Sequence, residues 1–480
     1  MQLLLAILSA IVLLLLPSRM ILDIPTWFWA WSTAVVLFAC FRHAQTLAKQ
    51  SGGNPWIDVA PLTLGWIFVR YGLGALIVYY WDQYQWVIPG IDRRFHVFGT
   101  RQNLDEACRL CLLAGLGFYC AFRLRTTPVV RMLPDLFWPA NISKLQRNAM
   151  IYAPFGLFIL FYVSPRLPLS IQFMVSLFAT ITYALIVMIS YWWFSSTGLA
   201  RTKWMISTLS VCGIASLFGL TEGQVGQVFI PFMMVFLGYA VAKRTLPFRF
   251  LIPLAIAGLI FLGPFLTAYK HATYNIAGQE ATISERMEYA EEWLTNVSYR
   301  GSVELAVNRF VGRLALIEFP AVFSLYYPDT YRYAYGRSFL IEFSTLVPRI
   351  FWPDKPQMSI ELNRYTASVG MIKEGEATSA VFDAIAEYHV NFGPLGVFLL
   401  SMVHALYLKI LFEWLTYSLD WLSGIAIHLM IFNLNFDFFG VGQMLVSHAK
   451  LLPVAILLLY ILGRDTSPQT VEEGAIYART

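Results

Sequence analysis

Residues 59–80 read VAPLTLGWIFVRYGLGALIVYY, and Arg70 is the only charged residue among them. About 20 predominantly apolar residues suffice to cross the hydrocarbon core of a bilayer as an α-helix. The stretch therefore predicts a transmembrane helix. Similar apolar stretches recur along the whole chain of 480 residues.

The composition agrees with this interpretation. Hydrophobic residues make up 58% of the chain and charged residues only 13%, whereas soluble domains average about 25% charged residues. We therefore predict an all-α polytopic membrane protein. The net charge of +5 does not indicate a nucleic-acid partner, because basic residues of membrane proteins mostly mark cytoplasmic loops.

Hydropathy divides the chain into about twelve predicted spans. Their approximate bounds are 2–17, 24–41, 59–80, 106–122, 148–164, 171–194, 205–220, 225–242, 249–268, 386–411, 423–440 and 447–463. Cys108 and Cys111 have the spacing of a redox or metal motif, but no second pair accompanies them. We interpret both as small apolar filler.

Lys and Arg residues are concentrated in alternate short loops, and the other short loops contain only Arg19, Arg93, Arg94, Arg101 and Arg166. The positive-inside rule then places both termini in the cytoplasm. This predicts membrane helices over 1–268, a large periplasmic loop over 269–384, further membrane helices over 385–464 and a cytoplasmic tail over 465–480. The expected location is the bacterial inner membrane.

The loop over 269–384 is far longer than a connection between two helices requires, which favours a functional role. We predict a short acidic helix over 282–297 and an amphipathic helix over 302–319 that Pro320 ends. An aromatic loop over 326–336 and an irregular segment over 345–356 follow. Where the loop re-enters the membrane, the sequence from Asn391 to Gly396 predicts a helix break.

The loop is rich in arginine, whose planar fork suits bidentate binding of phosphate or carboxylate. Arg309, Arg313 and Arg349 are candidate anion ligands, although any one of them could instead form a solvated ion pair. Arg70 is a further candidate, because an arginine in an apolar span usually faces a cavity or a partner. The alternatives for Arg70 are a structural bridge, for which Asp437 is a candidate, and snorkelling.

Asp383, Glu387 and His389 lie at the re-entry point. Asp383 and Glu387 are four residues apart and share one helical face. Like charges and burial raise the pKa of a carboxylate, which is how a general base works near neutral pH. The alternative is an ordinary polar helix start, which acidic residues favour.

Other signals are absent from the sequence. There is no phosphate-binding glycine loop and no metal-spaced Cys/His set, and the first outer loop, residues 18–23, has no acidic pair. We therefore expect chemistry that needs neither metal nor cofactor.

Two segments resemble a known family. LVPRIFWPDKP over 346–356 is similar to the P-R-x-x-W-P-x-K-P segment of bacterial Wzy-type oligosaccharide repeat-unit polymerases. AEYHVNFGPLG over 386–396 is similar to their E-x-Y-x-N-F-G-x-x-G segment. The order of spans and the large outer loop also match.

The resemblance implies a glycan polymerase that transfers a chain from undecaprenyl pyrophosphate onto the next lipid-linked repeat unit. It assigns Arg349 and Lys355 to the proline-rich motif and Glu387 to the re-entry motif, with Trp352 stacking on sugar. The expected partners are the lipid-linked oligosaccharide, membrane lipid, and chain-length and export proteins. An O-antigen ligase, a lipid-linked glycan transporter or flippase and a non-catalytic scaffold remain alternatives.

Overall fold

The computed structural model is helical, with no β-strand in the part of the chain that it describes. That part comprises residues 2–16, 20–21, 23–83, 103–136, 141–221, 225–266, 268–269, 283–296, 314–347, 351–372, 383–434 and 440–464, together with single positions between 303 and 312. Within these residues, a helix coincides with each of the twelve predicted spans.

Five of the described helices are long and apolar enough to cross a membrane, which makes the chain a membrane protein by length and composition. They are Val59–Tyr80, Val175–Ser195, Phe248–Leu266, Ala384–Ser418 and Val441–Gly463. Gln2–Leu15 is also apolar but shorter, and it is not among these five helices.

The chain divides into two units. The first comprises residues 1–126, 247–409 and 435–447. Its helices are Gln2–Leu15, Thr26–Gln50, Val59–Ile67, Phe68–Leu73, Gly74–Gln83, Leu104–Phe122, Phe248–Ala257, Gly258–Leu262, Ile283–Asn296, Glu318–Tyr326, Arg337–Ser344, Met358–Ser368 and most of Ala384–Ser418.

At the centre of the first unit lies Leu104–Phe122, in which nearly every residue is buried. A helix that is apolar all round must be covered on all sides, and this one packs against Gln2–Leu15, Thr26–Gln50 and Glu318–Tyr326. Cys108 and Cys111 lie on it as buried free thiols. Their burial is what small apolar filler requires.

The second unit comprises residues 127–246, 410–434 and 448–480. Its centre is the buried helix Thr182–Ser195, which packs against Ile142–Phe158, Gly198–Thr221, Val225–Lys243 and Trp421–Leu434. Leu169–Thr180 precedes the central helix.

The loop segment between the spans contains short helices, as predicted. The acidic helix is confirmed as Ile283–Asn296. The prediction that Pro320 ends a helix is wrong, because residues 316 and 317 form a turn and Pro320 lies inside the helix Glu318–Tyr326 that follows it. A proline is tolerated in the first turn of a helix, where its missing N–H would have no partner.

Four elements hold the candidate site. The π-bulged helix is Val59–Gln83, whose middle section Phe68–Leu73 is π-helical. The loop helix is Arg337–Ser344. The re-entry helix is Ala384–Ser418, and the C-terminal helix is Val441–Gly463.

The predicted break in the re-entry helix is confirmed. Phe392 and Gly393 have non-helical backbone angles, and Gly393 has φ 67° and ψ −163°. Pro394 has no N–H, so the carbonyl of Val390, four residues earlier, loses its helical donor. The backbone N–H of Ala334 donates to that carbonyl instead, at 2.8 Å.

Two further hydrogen bonds complete this junction between the loop and the broken turn of the re-entry helix. The backbone N–H of Tyr335 donates to the Asn391 carbonyl at 3.1 Å, and the backbone N–H of Gly336 donates to Asn391 Oδ1 at 2.8 Å. The loop residues just before the loop helix are thereby attached to the broken turn. The position of the loop helix beside the re-entry helix follows from this attachment.

Replacement of Gly393 by alanine is expected to destabilise the protein by about 1–3 kcal/mol, because only glycine readily adopts its backbone angles. The added Cβ would also lie 2.7 Å from the Tyr333 hydroxyl oxygen. Unfolding by SDS in mixed micelles measures the loss. The control is Gly258→Ala, whose Cβ meets nothing within 4 Å, and equal stability of the two variants would contradict the junction described above.

Candidate active site at the start of the re-entry helix

Asp383 begins the re-entry helix. Its Oδ1 accepts a hydrogen bond from the backbone N–H of Ala386 at 2.9 Å, the usual N-cap contact. Its Oδ2 accepts a hydrogen bond from the hydroxyl of Tyr71 on the π-bulged helix. Oδ1 therefore acts as an ordinary polar helix start, the alternative that the sequence left open. Oδ2 instead connects the re-entry helix to the π-bulged helix.

Glu387 lies one turn further on and is 3% exposed. Its Oε1 accepts a hydrogen bond from Ser338 Oγ at 2.6 Å. Asn391 Nδ2 donates to the same Ser338 Oγ at 2.8 Å and to the Glu387 carbonyl at 2.8 Å. Ser338 and Asn391, which are hydrogen-bonded to each other, thus hold the Glu387 side chain in one rotamer.

Glu342 adds a second carboxyl beside Glu387. It follows Ser338 by four residues on the loop helix, so both side chains project from the same face, and it is 1% exposed. Within the described part of the chain, Glu342 Oε2 has no hydrogen-bond partner. Burial, followed by the Glu387 charge, raises the pKa of Glu342 from 4.5 to about 10.

Both carboxyls approach the start of the C-terminal helix. A Cβ added at Gly440 would collide with Glu387 Oε2, and one added at Gly442 would collide with Glu342 Oε2. Only glycine leaves space for the two side chains here. The first backbone N–H groups of a helix carry partial positive charge, and the N–H of Gln443 opposes the rise in the Glu342 pKa.

Arg70 and Tyr71 enter from the π-helical section of the π-bulged helix, and both are buried. Bulges of this kind are frequent at functional sites because they redirect side chains. The Arg70 guanidinium carbon lies 5.1 Å from the centre of the Trp66 ring. The proposed partner Asp437 lies outside the described residues.

The charges of this cluster act on Asp383. Burial raises the pKa of Asp383 from 3.8 to about 7, while the Tyr71 hydrogen bond, the Ala386 N–H and the Arg70 charge oppose the rise. The carboxyls of Asp383 and Glu387 also interact with each other. The structure therefore brings together three residues selected from the sequence: Arg70, Asp383 and Glu387.

His389 belongs to a different surface of the re-entry helix. Residues two positions apart in an α-helix project in directions about 200° apart. His389 and Glu387 therefore project to opposite sides. His389 Nε2 lies 3.2 Å from the Tyr327 carbonyl oxygen, and its ring contacts the Tyr333 ring edge-on. A proton-transfer role shared with Glu387 is not supported by this arrangement.

Lys355 and Trp352 lie in the irregular segment after the loop helix. Lys355 Nζ donates to the Val347 carbonyl at 2.6 Å, and the Trp352 side chain is 42% exposed. Arg309, Arg313 and Arg349 lie outside the described residues. Their predicted role in anion binding stays a prediction.

Sequence reasoning missed Tyr71, Ser338, Glu342 and Asn391 as members of the site. A signal existed for two of them, because Ser338 and Glu342 are a polar pair at i, i+4, separated by three apolar residues in the loop helix. Within the described residues, no group of three His, Cys, Asp or Glu has the arrangement of a metal site.

The fold and the site together define a helical membrane protein with a buried cluster of carboxyl groups and one arginine beside a broken helix. The chain belongs to a family that is described as a domain of unknown function, DUF8712, whose model matches residues 67–425. The matched range includes Arg70, the loop helix and Glu387. No curated protein and no solved structure matches the chain.

The pH dependence of stability tests the protonated state of Glu342. Its folded-state pKa is raised, so the stabilisation is complete below the ordinary value of 4.5 and is lost as the pH rises through about 10. Glu342→Gln mimics the protonated carboxyl. We expect its stability to match that of wild type at low pH and to fall less steeply between pH 5 and 9.

SDS-unfolding curves across this pH range provide the measurement. The control is Glu292→Gln at an exposed position of the acidic helix, which should leave the wild-type slope unchanged. If Glu342→Gln instead destabilises the protein at every pH and leaves the slope as in wild type, Glu342 is ionised in the folded state.

Proposed function

We propose that this protein is a metal-independent membrane glycosyltransferase that polymerises a bacterial surface polysaccharide. It would transfer a glycan chain from undecaprenyl pyrophosphate to the next lipid-linked repeat unit. The observation that carries the proposal is the burial of Arg70 beside Asp383, whose carboxyl also interacts with that of Glu387. A buried cation beside a pair of interacting carboxyls suits a reaction that releases an anion and removes a proton.

Arg70 is assigned to the leaving group. As the bond between the anomeric carbon and the pyrophosphate oxygen breaks, negative charge develops on the pyrophosphate, and a fixed guanidinium stabilises that charge. Arg70 already lies close enough to Asp383 to favour its charged form. Arg309, Arg313 and Arg349 are proposed as additional phosphate ligands from the loop.

Glu387 is assigned to the acceptor. Its carboxylate takes the proton from the acceptor hydroxyl as that oxygen forms the new bond to the anomeric carbon. The Ser338 and Asn391 hydrogen bonds hold the carboxylate in one orientation, and such orientation is a large part of general-base catalysis. Glu342, which its raised pKa keeps protonated, would leave the negative charge of the pair on Glu387.

Asp383 is assigned a positioning role. Both of its oxygens are already occupied, one by the Ala386 N–H and the other by the Tyr71 hydroxyl. It therefore fixes the start of the re-entry helix and joins that helix to Arg70 through the neighbouring Tyr71. Trp352, which is partly exposed, is proposed as a sugar platform.

The proposed topology has twelve membrane crossings, with both termini in the cytoplasm and the segment 269–384 in the periplasm. The enzyme would act at the outer face of the inner membrane, where nucleotide sugars are absent. Lipid-linked donors are then the natural substrates, and chain-length and export proteins are natural partners.

A transporter of lipid-linked glycan is the second candidate. The observation that favours it is the break at Phe392 and Gly393, together with buried carboxyls, because discontinuous helices and buried ionisable groups are typical of transport sites. Chain transfer by purified protein in detergent separates the two functions, since transport requires a sealed membrane.

The central experiment is reconstitution of purified protein with an undecaprenyl-pyrophosphate repeat unit and separation of the products on a gel. A polymerase gives a ladder, and a ligase instead gives a single transfer to lipid A core. Glu387→Gln is expected to lower the rate at least about 100-fold by removing the general base, with solubility and folding retained.

The matched control is Glu361→Gln on the helix Met358–Ser368, where Glu361 pairs with the exposed Arg364 at 2.8 Å. This variant should retain the wild-type ladder. Full activity of Glu387→Gln would remove the assigned base, and the absence of any transfer by wild-type protein would overturn the glycosyltransferase proposal.

A further inference from the structure

The loop helix, Arg337–Ser344, buries polar side chains and exposes apolar ones, which is the reverse of a surface helix in water. Its buried side chains are the polar Ser338 and Glu342. The apolar Leu340 is 71% exposed, and Phe343 is 39% exposed. A water-facing helix of a soluble protein shows the opposite arrangement, with its apolar side towards the core.

The exposed apolar side continues in both directions. After the loop helix it includes Leu346 and Val347, and beyond them Phe351 and Trp352, of which Phe351 is 79% exposed. In the other direction, Phe339 contacts the ring of Phe392 on the re-entry helix, with 6.4 Å between the ring centres.

Beyond that contact, the re-entry helix has its own exposed apolar side. Phe392, Leu395, Leu399 and Val403 are all exposed, and their spacing of three or four residues places them on one face. In a helix long and apolar enough to cross a membrane, this face is the one that lipid covers. The apolar side of the loop helix is continuous with it.

The positions of charged residues in the re-entry helix indicate how deep the loop helix lies in the membrane. No Asp, Glu, Lys or Arg occurs between Glu387 and Lys409, and that stretch corresponds to about 30 Å of helix, the thickness of the hydrocarbon core. Glu387 therefore marks one boundary of the membrane. Ser338, which donates to Glu387 at 2.6 Å, places the loop helix at the same boundary.

We propose that the loop helix and residues 346, 347, 351 and 352 lie in the boundary of the bilayer, with Leu340, Phe343 and Phe351 among the acyl chains of membrane lipids. The buried Ser338 and Glu342 point away from the lipid, as polar side chains at this depth must. Trp352 occupies the headgroup level, which tryptophan favours. The element behaves as an interfacial amphipathic helix, and this assignment is independent of the proposed enzymatic function.

Fluorescence quenching on the full-length protein tests the assignment. Single cysteines are introduced by Leu340→Cys and by Phe351→Cys and labelled with bimane, and labelled wild type gives the background because its five cysteines are buried. The variants are reconstituted into phosphatidylcholine vesicles. Each sample is then quenched either by doxyl-labelled lipid or by iodide in the aqueous phase.

Two further positions provide matched controls. Leu395→Cys lies on the exposed apolar face of the re-entry helix, and Glu292→Cys lies at an exposed position of the acidic helix. We expect doxyl lipid to quench labels at 340 and 351 at least threefold more than the label at 292, as it does at 395. Iodide should show the reverse order.

Two results would overturn the assignment. Iodide quenching at 340 and 351 equal to that at 292 would place the loop helix in water. Protection of both labels from iodide and from doxyl lipid would mean that protein, either a second copy of the chain or another partner, covers this surface.

Discussion

The site depends on a backbone carbonyl that the sequence deprives of its helical partner. Pro394 cannot donate to Val390, and a carbonyl left unsatisfied near the hydrocarbon core is costly. The Ala334 N–H supplies the missing hydrogen bond, and the neighbouring Tyr335 N–H bonds to Asn391. This exchange attaches the long loop to the membrane helix at one defined place, and it positions Ser338 and Glu342 beside Glu387.

The second constraint is the cost of burying charge. An isolated ionised group away from water is unstable unless it is paired, hydrogen-bonded or neutralised by a proton. All three solutions occur within this cluster: Arg70 lies near Asp383, Ser338 donates to Glu387, and Glu342 takes up a proton because its pKa is raised. Gly440 and Gly442 let both carboxyls approach the positive end of the C-terminal helix. A cluster of this kind is expensive for stability, which is why we attribute it to function.

Much of the helical framework could be predicted from the sequence, because apolar runs and helix-breaking residues act locally. Every predicted span coincides with a helix over its described residues, and the break after Asn391 followed directly from Gly393 and Pro394. The prediction for Pro320 was wrong. A proline often ends a helix, but it is also tolerated in the first turn of a helix, and Pro320 occupies that second kind of position. The partners of Glu387 could not be found in this way, since Ser338 and Glu342 reach it only through contacts between distant segments.

Binding of undecaprenyl pyrophosphate to purified protein tests the central claim most directly, because it examines the charged cluster without requiring turnover. Native mass spectrometry can compare wild type with Arg70→Gln, and with Arg364→Gln as a control at an exposed arginine. Our account predicts that Arg70→Gln weakens binding at least about tenfold, the loss of a charge-assisted contact, while Arg364→Gln binds as wild type does. Equal affinity of all three proteins would contradict the assignment of this buried cluster to pyrophosphate recognition.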